Sequence, residues 1–166
     1  MNPTSALFAR TVNLNPGERV LMMHSGDSEL ARWVVDHVYP EGYVVALHHS
    51  YSALNGLGDV RDVELSDLVY PSASKHGSVN TVLMTIPKGR LVARACLWTA
   101  AQVLEPGGRL YLAGPNARGA KTAIRDAEDL FGAAPVLGYK SSRRIALATR
   151  PDQLELPHAW GDEQPW

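Results

Sequence analysis

The stretch Val82-Leu-Met-Thr-Ile-Pro-Lys-Gly-Arg90, followed one helix length later by Leu104-Glu-Pro-Gly-Gly-Arg-Leu-Tyr-Leu-Ala-Gly114, decides how this chain folds. The apolar run from Val79 to Ile86 has the length of a strand buried on both faces, and Pro87 stops it because proline brings no N–H to a ladder. From Gly89 to Leu104 the pattern turns helical. Leu91, Ala95, Trp98 and Gln102 fall along one side, with Val92, Cys96, Thr99 and Val103 beside them. Glu105-Pro-Gly-Gly108 then turns the chain into a further strand, Arg109 to Ala113. Strand, crossover helix and strand is the unit that builds a parallel sheet.

The same alternation extends in both directions. Upstream, Arg19–Met23 and Tyr43–Leu47 read as short apolar strands, and Val60–Leu65 as a third. A helix from Glu29 to Val38, capped by Asp27 or Ser28, lies between the first two. Ser50 to Leu57 reads as a weak helix, and residues 70–80 as a polar loop. Downstream, Gly119–Phe131 is a helix whose apolar face is Ala120, Ala123, Ile124, Ala127, Leu130 and Phe131. Pro135–Tyr139 and Arg143–Thr149 are strands joined by a connection too short for a parallel return, hence an antiparallel pair. The fold class that follows is a Rossmann-like three-layer α/β/α sandwich around a mostly parallel seven-stranded sheet with an antiparallel C-terminal hairpin.

Composition agrees. At 166 residues, 45% hydrophobic and 20% charged, the chain reads as one globular domain over residues 1–150 with an acidic, tryptophan-containing tail over 151–166. It has no apolar run near the roughly 20 residues that span a bilayer, and Met1-Asn-Pro-Thr-Ser does not begin a signal peptide. The single cysteine, Cys96, forms no internal disulfide, and the expected location is the reducing cytoplasm. Charge is unevenly spread. Residues 1–74 hold 4 basic and 9 acidic side chains, residues 75–150 hold 12 and 4, and the tail holds 4 acids and no base. Such a split steers an anionic partner to one half of the molecule.

Ligands of open α/β sheets bind beyond the carboxyl ends of the strands. Here those ends are His24–Asp27, His48–Ser50, Asp67 and Thr85–Lys88. His24, His48, His49 and Asp27 are chemically suited to a transition metal, but their spacing matches no metal signature, so none is expected. Ser25 and Ser28 near His24 lack the glycine-flanked elbow of a nucleophilic serine.

With its elements in this order, the chain resembles the class I S-adenosylmethionine-dependent methyltransferases of the methyltransferase small-domain family, in particular the ribosomal RNA small-subunit methyltransferase C type. The likeness covers about residues 7–150. It rests on Ile86-Pro-Lys88, Leu104–Gly114, Asn116-Ala-Arg-Gly-Ala-Lys121 and Leu130-Phe-Gly132 followed by Arg143-Arg144. The resemblance implies two tandem copies of such a domain, one binding the donor and catalysing, the other a degenerate copy serving folding and RNA recognition. Ile86-Pro-Lys88 is the pattern of the degenerate copy. The catalytic copy has Asn-Pro-Pro-aromatic there, so Thr85, Pro87 and Lys88 mark the position of the catalytic residues, and a lysine ammonium cannot accept a bond from a target amine.

The resemblance places S-adenosylmethionine against His24, Gly26, Ser28, His48 and Asp67. Of the family's acid and three spaced glycines after the first strand, Met22, His24, Gly26 and Ser28 keep one glycine and no acid. His48 stands where an acid receives the ribose hydroxyls, and Asp67 matches the residue that reaches the adenine amine. Outside that crevice, Lys88, Arg90, Arg94, Arg118, Lys121 and Arg125 form a candidate RNA patch making phosphate contacts; the competing expectation is an ordinary helix face with Arg125 paired to Asp129. Two readings stand: a pseudoenzyme module that binds RNA or pairs with a partner, as a homodimer or with a separate catalytic subunit, and an active methyltransferase acting on RNA or another small acceptor.

Overall fold

A computed structural model describes residues 1–48, 54–66 and 79–160. Its sheet has seven strands, β1 (Arg19–Met23), β2 (Tyr43–Leu47), β3 (Val63–Ser66), β4 (Val79–Thr85), β5 (Leu104–Pro115), β6 (Val136–Lys140) and β7 (Arg143–Thr149). They lie in the order β3-β2-β1-β4-β5-β7-β6. The pairs β1–β2, β2–β3, β1–β4 and β4–β5 are parallel, and β7 runs antiparallel to both its neighbours. The strand order reverses direction between β1 and β4, so crevices open at the exits of these strands.

Helices cover both faces. α1 (Pro3–Thr11) and α2 (Ser28–Val38) bury Leu7, Phe8, Leu30 and Val34 against one face of the sheet. α3 (Arg90–Val103) and α4 (Ala120–Phe131) bury Ala93, Leu97, Ala123 and Leu130 against the other. This gives the three layers that the alternating pattern predicts. α1 was not read from the sequence, although Asn2 caps it through Ser5 N–H at 2.8 Å and Pro3 occupies its first turn.

Three further elements differ from expectation. The apolar stripe of α3 is Ala93, Cys96, Leu97, Ala100 and Ala101, whereas Leu91 and Val92 are 51% and 42% exposed. The third strand begins at Val63, because residues 56–62 form turns with Asp62 at φ 66. β5 begins at Leu104, not Arg109: Val79 pairs with Leu104 and Thr81 with Arg109, so Glu105-Pro-Gly-Gly108 bulges out inside the strand. Gly107 takes φ 80 there, and a Cβ on Gly108 would stand 2.8 Å from the Glu105 carbonyl oxygen, which is why this bulge needs both glycines.

A polar network pins the amino ends of the central strands. Glu18 receives Arg109 at 2.8 Å and the Thr81 hydroxyl at 2.8 Å, and Glu105 receives Arg19 at 2.9 Å and Asn80 at 2.7 Å. After β7, residues 151–160 run over the α3/α4 layer. Leu154 and Leu156 pack on that core, Arg150 Nε donates to the Ala101 carbonyl at 2.8 Å, and Trp160 is buried. No helix among the described residues is long and apolar enough to cross a membrane.

Candidate functional site

Two crevices at the strand exits hold most of the residues singled out from the sequence. The first lies beyond β1 and β2. Parallel pairing of Met23 with Leu47 sets His24 beside His48, and their rings approach to 4.9 Å between centroids at a 56° tilt. His24 adopts φ 58, a left-handed conformation that glycine would take without strain, and its N–H donates to the Leu47 carbonyl at 2.9 Å. Gly26 is exposed, and Ser28 opens α2. Four of the five expected donor-binding residues thus share one place. Asp67 and His49 lie outside the described residues.

The chemistry of this crevice differs from that of a donor site. Asp27 caps α2, receiving Glu29 N–H at 2.9 Å and Leu30 N–H at 3.3 Å, and also takes Asn2 N–H at 2.9 Å. Burial works against its ionisation, but the bonds from Asn2, Ser5, Leu30 and Glu29 outweigh burial and hold the carboxyl below its usual range. Glu29 pairs with the amino group of Met1. The helix start is therefore already occupied by carboxylates, which repel the donor's own carboxylate. Met22, at the position of the family's acid, is an apolar side chain with no exposed surface. Among the described residues, none supplies an uncommitted carboxylate for the donor's amine, and the glycine cradle holds two side chains. The described residues do not fit the group.

The second crevice lies beyond β4 and β5. Thr85 pairs with Ala113, and Ile86 N–H still bonds the Ala113 carbonyl at 2.9 Å, so the loops 86–89 and 116–119 leave the sheet side by side. Between them and the first turns of α3 and α4 is a cavity of about 410 Å³, lined by Lys88, Arg90, Arg118 and Asp126 with Ile86, Pro87 and Ala93 among its apolar walls. Pro87, one of the three positions expected for catalysis, is buried in that wall; Lys88 is exposed at the rim; Thr85 is half-buried at the end of β4.

Asp126 organises the cavity's base. Fully buried, it receives Arg90 through Nε at 3.1 Å and a terminal nitrogen at 3.0 Å, and Arg94 through Nε at 3.1 Å. Arg94 is only 4% exposed and lies 4.9 Å from the centre of the Trp160 ring. This corrects one expectation: Arg94 is an interior cation and cannot belong to a surface patch. The other five patch residues are exposed. Lys88, Arg118, Lys121 and Arg125 make no ion pair among the described residues, and the expected Arg125–Asp129 pair does not form. Sequence reasoning missed Asp126, although an acid three residues after Ala123 and four before Leu130, inside the apolar stripe of α4, signals a buried partner for cations.

The fold is that of class I S-adenosylmethionine-dependent methyltransferases. The 16S rRNA N2 guanosine methyltransferase RsmC of T. thermophilus, solved with AdoMet and guanosine, matches at 27% identity and a TM-score of 0.74 over 94% of this chain. This chain spans only 41% of that protein's length. TrmN from Thermus thermophilus matches at 18% identity and a TM-score of 0.66, over 88% of this chain and 48% of its own. The precorrin-6y C5,15-methyltransferase of Geobacter metallireducens matches at 15% and 0.67, over 89% and 87% of the two chains. No protein-family model matches the chain, and no curated protein does.

Proposed function

We propose, on the premise of the methyltransferase fold, that this chain is an RNA-binding module with a degenerate S-adenosylmethionine site, working beside a separate catalytic subunit or as a homodimer. The observation that carries the proposal is the set of exposed cations on the loops and helices that follow β4 and β5. Lys88, Arg118, Lys121 and Arg125 face solvent and make no ion pair among the described residues, and Arg90, paired with Asp126, keeps half its side chain exposed. Phosphate contacts need such side chains and no base-reading geometry. The choice of RNA rests on the likeness to an rRNA methyltransferase, and the missing catalysis on the crowded donor crevice and on Lys88 at the place of a target-amine acceptor. A second reading, an active S-adenosylmethionine-dependent enzyme acting on RNA or a small acceptor, is favoured by that same relative being bound to AdoMet.

Salt titration of RNA retention tests the first reading. Five phosphate contacts give a slope of about −3.5 in log K against log salt, at roughly −0.7 per contact for single strands. Arg118→Glu combined with Lys121→Glu should bring the slope to about −2. Absence of retention at low salt, or a slope unmoved by the double variant, refutes the proposal. Calorimetry with S-adenosylmethionine decides the second reading: micromolar binding that is lost in Asp67→Ala establishes a working donor site.

A further inference from the structure

The cavity between α3 and α4 carries more charge than an internal RNA phosphate can use. Asp126 is its only acid among the described residues, and Arg94, buried behind it, already balances that charge. Lys88 and Arg118 therefore add two positive charges at one opening, beside the Arg90 that pairs with Asp126. A backbone phosphodiester brings one negative charge. A phosphate monoester brings nearly two at neutral pH and three strong acceptor oxygens. Both helices that border the cavity start at glycines, Gly89 and Gly119, that provide no side-chain cap. The remaining wall is apolar, made by Ile86, Pro87 and Ala93, and the volume of about 410 Å³ falls within the range of small-ligand sites.

We infer that this cavity binds a nucleotide through its phosphate monoester, with Lys88 and Arg118 on the phosphate and the ring system against Ile86, Pro87 and Ala93. The inference rests on the RNA reading only for its source: the monoester belongs either to the phosphorylated end of an RNA strand or to a free mononucleotide.

The test uses the full chain with AMP, adenosine and a short RNA carrying either a 5′-phosphate or a 5′-hydroxyl, followed by calorimetry. AMP should bind at least tenfold more tightly than adenosine. Lys88→Glu should weaken AMP at least tenfold by removing charge. Thr122→Trp should do the same by filling the cavity from an exposed lining position while leaving all charges in place. Preference for the 5′-phosphorylated RNA, lost in Thr122→Trp, identifies a strand end as the source; AMP binding without that preference identifies the free nucleotide. Equal affinity for AMP and adenosine, or AMP affinity unchanged by both variants, overturns the inference. Salt-sensitive RNA retention that persists in that case leaves the module reading intact, whereas AMP binding without RNA retention removes the module reading and keeps the nucleotide site.

Discussion

Replacing Asp126 by asparagine should be the most damaging conservative change in this protein. The carboxylate has no exposed surface and accepts four bonds, from Arg90 at 3.1 and 3.0 Å and from Arg94 at 3.1 and 3.4 Å. Asparagine keeps the volume but removes the charge, and its amide nitrogen points donors at donors. Arg90 can turn to solvent. Arg94 cannot, since it is 4% exposed and packed beneath Trp160. Stranding one member of a buried pair costs about 3–5 kcal/mol, and the contact with Trp160, present before and after the change, does not offset it. At roughly 2–4 °C per kcal/mol for a domain of this size, a net loss of about 3 kcal/mol lowers Tm by about 6–12 °C. Urea denaturation of Asp126→Asn, Arg94→Met and the double variant measures this. The double variant should recover at least half of the single loss, because no unpaired charge remains. A single variant within about 1 kcal/mol of the parent, or a double variant no better than the single, refutes the account of Arg94 as an interior cation held by Asp126.

Cys96 is buried among the side chains beneath α3, and burial pushes its thiol up to about 12. It should resist thiol reagents at pH 8 until the protein unfolds. Its folded pKa lies above the ordinary value of 9.0, so its contribution to stability is intact below pH 9 and declines as pH rises towards 12; a Cys96→Ala variant whose alkaline stability profile keeps that decline would contradict this. The β6–β7 turn places Ser141 at φ 52 and Ser142 at φ 60, the left-handed pair of a type I′ turn. Ser141→Asn with Ser142→Gly should raise stability by about 0.5–1 kcal/mol in thermal melts, and a loss would show that the turn has another conformation.

Strands with one uninterrupted apolar run were legible from the sequence: β1 and β2 have the expected limits, because nothing but a doubly covered strand accommodates Val-Leu-Met-Met or Val-Val-Ala-Leu at that length. The stripe of α3 was not legible, since its residues are apolar on nearly every side. Leu91 and Val92 are as hydrophobic as the buried Ala93 and Leu97, and only the approach of α4 decides which face is covered. Arg94 failed for a related reason. Spacing put it one turn beyond Arg90 on the same face, but an arginine's place depends on whether an acid waits inside, and Asp126 is 32 residues away. That His24 and His48 share a crevice was legible, as the exits of paired strands must meet. The occupancy of that crevice was not: the commitment of Asp27 to Asn2 follows from α1, an element whose cap and first-turn proline went unread.

Sheet order turns the uneven charge of the sequence into a field with direction. Residues 1–74 build β1, β2, β3, α1 and α2, and carry a net charge of −5; residues 75–150 build the remaining strands and helices and carry +8. Had the strands interleaved, these charges would cancel locally. Instead the order β3-β2-β1-β4-β5-β7-β6 keeps the strands of each segment on their own side of the β1–β4 boundary, and only α1 crosses it to pack on β5, β6 and β7. A phosphate approaching the strand exits is therefore repelled from the crevice at His24 and His48 and drawn to the one at Lys88 and Arg118. At an ionic strength of about 0.15 M the Debye length is about 8 Å, so only the last approach is guided and the two neighbouring openings are told apart at short range. The donor-type crevice and the cationic cavity thus occupy opposite electrostatic halves of one sheet edge, and it is the second that suits a polyanion.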